Sequence, residues 1–506
     1  MKKPFAGRLK QSFFYFIVAL LPIGRSTMLA QSPSDSATPG LAVLDAAGNS
    51  VEARGIALVD WDGYIANPAV KLTFSPTAEI TRFPATVTLS AKEPRMYFDL
   101  PSAIDADGPS KTITFANARS KVVVYLSIFP DREGKDERAL LHYQIVDADG
   151  TARDGSINVH VFDQDENRPS TFKVYTDFSY DEAGFFKDPE RRQIVQQAAD
   201  DWAYFIDDMD LDLVPAFSEK VNIFPSSTDF SNSTLKSAPV SYKGFLVELY
   251  GVDLPELRSG GSASNQSFQT SRGVKLPLRR SGNVAIETKG NYNTLGWLPT
   301  IKDSEWWKAD NLSEHPADLY SIVHRQIELS LGFSPDYPKA NSARNRGHIQ
   351  SPELLAYHKQ YPKVDSSNQL TGEIDDASLH GVFGSEYKGK TPEGRWLITK
   401  LDVLCLEAIG YKIRHTFDLS IKTDPLAAGH LHIPYATTLQ GKGGLPWYIW
   451  SMESGALPGG LVLDADTGVI SGQPAKAGSY TFTVRLTDSS EKKTSVVSAP
   501  LTMVIH

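Results

Sequence analysis

Runs of strict period-two alternation occupy both ends of this chain, and between them lies a long stretch of helical periodicity. Ala85-Thr86-Val87-Thr88-Leu89, Lys111-Thr112-Ile113-Thr114-Phe115 and Ser156-Ile157-Asn158-Val159-His160-Val161 each set apolar against polar residues at every step. That pattern puts one face on a core and the other in water, which is what a half-buried strand requires. Turn clusters at Asp105-Ala106-Asp107-Gly108 and Asp147-Ala148-Asp149-Gly150 separate such runs, so residues 38–168 are expected to form an all-β sandwich. Near the other end Tyr480, Phe482, Val484 and Leu486 share one face while Thr481, Thr483 and Arg485 share the other, which predicts a second all-β sandwich over residues 417–506.

Between the sandwiches, residues 170–414 mix strands with helices. Ile194, Ala198, Trp202, Phe205 and Met209 recur at helical spacing, with Asp188 as N-cap and Pro189 at the first helical position. Further helices are expected from Pro316 to Gly332, from Pro352 to Tyr361 and from Leu401 to Gly410. Strand-like runs include Phe172–Tyr175, Val221–Phe224, Phe245–Tyr250 and Val284–Glu287. The fold class is therefore multidomain: an all-β sandwich, a central α+β domain and a second all-β sandwich.

Residues 1–30 read as an export signal, with Lys2, Lys3, Arg8 and Lys10, an apolar run from Phe13 to Ile23, and small residues ending at Ala30. No later segment approaches 18 continuous apolar residues, so no transmembrane segment is expected once the signal is removed. Export permits disulfides, yet Cys405 is the only cysteine, so no intramolecular bridge can form and each domain must be held by its core. Cys405 lies within the apolar run Leu401–Leu406, where a small buried hydrophobe is expected. The chain carries a net charge of −9, and its first thirty residues hold no acid at all, so the remainder is more acidic still. That excludes a nucleic-acid partner gripped by a basic field.

The stretches Gly443-Gly444-Leu445-Pro446-Trp447, Leu457-Pro458-Gly459-Gly460-Leu461 and Thr467-Gly468-Val469-Ile470-Ser471-Gly472 resemble the Ig-like, cadherin-like domains of bacterial exported proteins. The resemblance covers nearly all of Asp418 to His506 and implies display or adhesion more than catalysis. Its Leu-Pro-Gly-Gly and Thr-Gly-Val-Ile-Ser-Gly runs are also what tight turns between strands demand, because glycine takes positive φ at little steric cost.

The segment Asp318–Phe333, read as Asp-Leu-Tyr-Ser-Ile-Val-His-Arg-Gln-Ile-Glu-Leu-Ser-Leu-Gly-Phe, resembles the active-site helix of zincin metallopeptidases of the leishmanolysin-like, metzincin type. In that family His-Glu-x-x-His-x-Leu-Gly-Phe grips zinc with two histidines one turn apart, and its glutamate activates the bound water. Ala198–Trp202 is similar to the first zincin helix and Ile398–Tyr411 to the closing helix. Anchoring on Leu331-Gly332-Phe333 places Arg325, Gln326 and Leu329 at the family's first histidine, glutamate and second histidine. None can replace the original group: Arg has no lone pair for a metal, Gln cannot take a proton as carboxylate does, and Leu has no donor atom. The methionine below the zinc is also missing between Phe333 and Tyr411.

The resemblance therefore implies a degenerate zinc site and an inactive peptidase. No confident catalytic or metal-binding residue is assigned and no cofactor is expected. Zinc enters only through a displaced set of His324, Glu328 and His380. That set breaks the spacing to Gly332, and its rival is a helix on which His324 and Glu328 face solvent. A guanidinium at Arg325 in the former cleft would need a carboxylate such as Glu328 or an acid between Glu373 and Asp376. Asp163-Gln164-Asp165-Glu166 offers oxygen ligands for calcium between domains, as cadherin-like junctions do, against a plainer reading as acidic turns at strand ends. The run starting at Asp147 lacks the late bidentate carboxylate of a full calcium loop, with Asn158 twelve positions along. Trp297, Trp306 and Trp307 are candidates for stacking on sugar or for the core.

The sequence points to an exported protein whose central domain serves binding, scaffolding or adhesion, with a protein or polysaccharide as ligand. A secreted peptidase using the displaced set and a purely structural surface protein are the alternatives.

Overall fold

The computed structural model describes residues 39–93, 95–99, 109–166, 168–218, 220–223, 234–252, 259–263, 268–269, 275–276, 280–287, 319–331, 344–345, 348–349, 397–422 and 425–506. Outside them lie residues 1–30, expected to be an export signal, the expected helix Pro352–Tyr361, His380, Asp376 and its acidic neighbours, and Trp297, Trp306 and Trp307. The described chain is mostly β-sheet with few helices.

The first alternating region forms two sheets face to face. One has four strands in the order Leu41–Leu44, Val70–Pro76, Val122–Ile128, Met96–Asp99. The other has five, in the order Ile56–Asp60, Ala152–Asp163, Glu137–Val146, Ala85–Ala91, Ser110–Phe115. Ala85, Val87, Leu89 and Ala91 point into the core while Thr86 and Thr88 stay exposed, so alternation does what a sandwich strand requires. Ile56–Asp60 shows no alternation because both of its faces are covered. Ile56 and Leu58 belong to the sandwich core, whereas Val59, with Trp61, Tyr64 and Ile65 just beyond, belongs to the core of the central region.

That central core rests on a four-stranded sheet. Val174–Asp177, Phe245–Val252 and Ser281–Glu287 run parallel, and Ser259–Ala263 closes one edge antiparallel. Helix α1 (Pro189–Phe205) starts where Asp188 accepts from the Glu190 N–H at 2.9 Å, with Pro189 at the first position as expected. It stops at Phe205, short of Met209, because Ile206 turns extended and pairs with Ile413. Helix α2 (Leu319–Leu331) packs on α1 and on the strands Ser259–Ala263 and Ser281–Glu287. Helix α3 (Lys400–Ile409) begins with a reciprocal cap between Thr399 and Asp402 and ends at Gly410, whose φ of 112° only glycine takes readily. Cys405 is buried on α3, as its apolar setting implied.

The C-terminal region is again a sandwich. Its larger sheet is built on Gly478–Thr487, which pairs with Ile449–Gly455, Ser495–Val497 and Leu501–Ile505. Phe482, Val484 and Leu486 are buried on one face, matching the alternation. Gly443 at φ 70° brings the backbone so close to the Asp418 carbonyl that a Cβ there would sit 2.0 Å from it. No described helix is long and apolar enough to cross a membrane.

Candidate functional site

Asp60 is the register partner of Asp163 at the ends of two parallel strands, so the loops that leave them start side by side. With the loop after Val122–Ile128 they form a head of three loops, Trp61–Asn67, Phe129–Asp136 and Gln164–Glu166. Fully buried Asp60 accepts from Asn67 Nδ2 at 3.0 Å, from the Asp131 N–H at 3.1 Å and from Arg95 Nη1 at 2.7 Å. Arg95 also reaches Asp131 at 2.8 Å and Glu137. Burial outweighs the guanidinium and lifts Asp60 to about 7.

Next to this pair, Asp131, Asp163 and Asp165 each place a carboxylate oxygen within 4.8 Å of the other two. Asp163 accepts the N–H groups of Lys135 and Asp165, both at 2.8 Å. Asp165 accepts the Gly63 N–H at 2.9 Å, while its Oδ2 is buried with no hydrogen-bond partner. Burial, joined by the charges of Asp60, Asp163 and Asp62, pushes the Asp165 carboxyl up to about 8. An all-oxygen set crowded with negative charge fits a hard divalent cation such as calcium and not zinc, which favours nitrogen and sulfur.

The same three loops hold the other two parts of the molecule. Arg132 lies 3.8 Å over the Tyr64 ring and pairs at 3.0 Å with Asp201 of α1. Asp201, fully buried, also accepts from Gln197 at 2.6 Å and from the hydroxyl of Tyr320 on α2. Asp62 accepts from the Tyr204 hydroxyl and the Glu166 N–H, with Lys442 Nζ at 3.4 Å. Gln164 Oε1 accepts the Gly443 N–H at 2.7 Å, its Nε2 donates to the Tyr448 hydroxyl at 3.2 Å, and Trp61 Nε1 donates to the Gly444 carbonyl at 3.3 Å. Trp447 packs edge-on against His160 and Phe162, with centroids at 5.3 and 5.0 Å. The C-terminal sandwich thus returns to the first one.

On α2 the residues singled out by sequence are found in a different setting from a solvated face. His324 and Glu328 are both buried, at 0% and 1% exposure. The His324 ring lies between Trp202 and Tyr320, with centroids at 5.1 and 4.8 Å, and Trp202 Nε1 donates to the His324 carbonyl at 2.9 Å. Glu328 faces α3: after burial itself, Asp402 and Glu328 are what raise the Cys405 thiol. Gln326 Oε1 and Ser330 Oγ are buried without hydrogen-bond partners. Arg325 and Leu329 are helical residues whose side chains lie outside the described atoms, and His380 lies outside the described residues.

Sequence reading picked out Asp163 and Asp165 but missed Asp60, Arg95, Asp131, Arg132 and Asp201. One local signal was there: Asp131-Arg132-Glu133 interrupts an alternating strand region with three consecutive charges.

Residues 422–503 match a family model described as "Putative Ig domain", and no curated protein matches the chain. Among solved structures, a "putative alpha-galactosidase" from Bacteroides fragilis is 28% identical over 17% of this chain, with a TM-score of 0.15, and the match spans 17% of that protein's length. A conjugative transposon lipoprotein from Bacteroides eggerthii is 11% identical over 24% of this chain and 98% of its own, with a TM-score of 0.17. A protocadherin gammaB7 EC3–6 cis-dimer structure is 10% identical over 92% of this chain and 75% of its own, with a TM-score of 0.15.

Proposed function

We propose that this is an exported binding or adhesion protein in which a zincin-like central domain, without a working zinc centre, is a scaffold between two β-sandwich modules, and that calcium braces the seam where the three parts meet. The observation that carries the reading is that seam: one sandwich offers three loops whose polar and charged groups grip α1 and the Ig-like module, with α2 joined through Tyr320 and Asp201. An Ig-like module fits a role in binding a protein or polysaccharide. A mixed sheet with an antiparallel edge strand beside α2 supports the zincin-like part, and so does the run Leu331-Gly332-Phe333 where α2 ends. The peptidase chemistry has little footing, because the His324 ring is enclosed between Trp202 and Tyr320 and the glutamate position holds Gln326.

In the calcium part of this reading Asp131, Asp163 and Asp165 hold the cation, which would take the place of the proton that burial favours on Asp165. Two measurements test the proposal. Calcium should raise the thermal midpoint of the purified protein, and Asp165→Asn should abolish that rise; an unchanged midpoint would remove calcium from the account. Metal analysis should find no stoichiometric zinc, and casein should stay intact. Zinc at one per chain, with chelator-sensitive casein cleavage lost in His324→Ala, would replace the scaffold reading with the peptidase built on His324, Glu328 and His380.

A further inference from the structure

The outer face of the central sheet, opposite α1 and α2, carries a second acidic pair that the seam does not use. Asp177 and Glu248 are register partners on neighbouring parallel strands. Glu248 is 0% exposed and Asp177 9%. Both Glu248 oxygens and Asp177 Oδ2 are buried with no hydrogen-bond partner, and Ser179 Oγ donates to Asp177 Oδ1 at 3.0 Å. Two ionised carboxylates are acceptors only and cannot satisfy each other. A single proton between them supplies the missing donor and removes half of the buried charge.

We infer that Asp177 and Glu248 share one proton and form a latch that keeps the layer made by residues 214–218 and 234–242 closed over this sheet face until alkaline pH removes it. The layer is seated there by Ala238 and Tyr242, which pack with Leu246 and Tyr175, the neighbours of the pair on the same face. The turn after Asp177 ties the layer down as well, because the Tyr180 hydroxyl donates to the Ser237 carbonyl at 2.5 Å. The groups that face the pair do not neutralise it. Tyr180 is itself raised, by burial and then by Glu248 and Asp177, and Asp181 uses Oδ1 to accept the Gly251 N–H at 2.8 Å. Lys236 lies 5.8 Å over the Tyr180 ring, Lys173 lies 4.8 Å over Tyr175, and Arg280 donates to the carbonyls of Gly244 and Asp212. Tyr242 and Tyr250 present phenols on the same side of the sheet. The geometry agrees with the titration: burial first, then Asp177, pushes Glu248 up to about 9.

The sign follows. An unfolded glutamate loses its proton near its ordinary value of 4.5, while the folded one holds it to about 9. Stability from the pair is therefore complete below pH 4.5 and falls as pH rises towards 9. Difference infrared spectroscopy of the full chain between pH 8.5 and pH 10, above the range in which Asp60 and Asp165 titrate, should show loss of a protonated-carboxyl carbonyl band with a midpoint near pH 9, and Glu248→Gln should lack that component. Hydrogen exchange in residues 238–252 should accelerate at least tenfold between pH 7 and pH 10 beyond the intrinsic rise, and Glu248→Gln should suppress that excess. If Glu248→Gln does not fold, Asp177→Asn serves instead: removing the like charge should move the band's midpoint to lower pH. Absence of the component that titrates near pH 9, or a midpoint that Asp177→Asn leaves in place, overturns the latch.

Discussion

The seam between the domains and the interior of α2 are both polar and both buried, yet they handle that burial in opposite ways. At the seam, charges are met by opposite charges from distant parts of the chain: Arg95 by Asp60 and Asp131, Arg132 by Asp201, Lys442 by Asp62. On α2, the His324 ring is packed between Trp202 and Tyr320, and Gln326 Oε1 and Ser330 Oγ are buried without hydrogen-bond partners. The difference teaches where selection for contact between modules acts. Ion pairs in the seam fix a docking geometry, whereas α2 is held by the packing of its buried side chains.

The sharpest way to break this comparison is Arg95→Ala. It leaves Asp60 and Asp131 buried without their cation, which should cost about 3–5 kcal/mol in a denaturant titration. A loss under about 1 kcal/mol would mean that the seam is no more charge-dependent than α2. His324→Ala probes the other region. Removing a ring held between Trp202 and Tyr320 should cost about 3 kcal/mol through the cavity it leaves, with no dependence on added metal. A cost that appears only in the presence of zinc would contradict the packing account.

Tyr320→Phe asks whether the two regions are joined. It removes a hydroxyl donor from buried Asp201, which Arg132 also holds, so about 1–2 kcal/mol is expected. A double-mutant cycle with Arg132→Ala should depart from additivity, because both residues act on one carboxylate. The smallest effect is expected at His415, at the start of the C-terminal sandwich. Asp418 and Glu407 hold its ring at 3.0 Å on either side and raise it to about 10. A histidine raised in the fold stabilises fully below its ordinary 6.5, and that share is lost as pH rises through 10. The ring is one-third exposed, so solvent screening keeps the contribution below about 1 kcal/mol. The difference in thermal midpoint between wild type and His415→Gln should shrink from pH 6 to pH 10.5.

Much of the architecture was legible because strand and helix periods are local. Val87 and Leu89, or Phe482 and Val484, declare their faces within a few residues. Ile56–Asp60 hid its role because burial on both sides erases alternation. The seam was illegible for a different reason: Arg132 and Asp201 are 69 residues apart, and Trp61 and Gly444 are 383 apart, so no local pattern pairs them. His324 and Glu328 have the spacing of an exposed i,i+4 pair, and only the packing of α1 and α3 against α2 shows that they are buried.

The parallel pairing of Ile56–Asp60 with Ala152–Asp163 has a mechanical consequence. Both strands deliver their loops to the same end, so a pull on the C-terminal module along the strand axis draws the two strands in the same direction. The load passes to their neighbour Glu137–Val146, which is joined to Ala152–Asp163 through ten antiparallel register pairs. Tension applied lengthwise loads those pairs in shear, so they resist together and do not open one after another. A protein that clings through its last module would meet force with the stiffest direction of its first sheet.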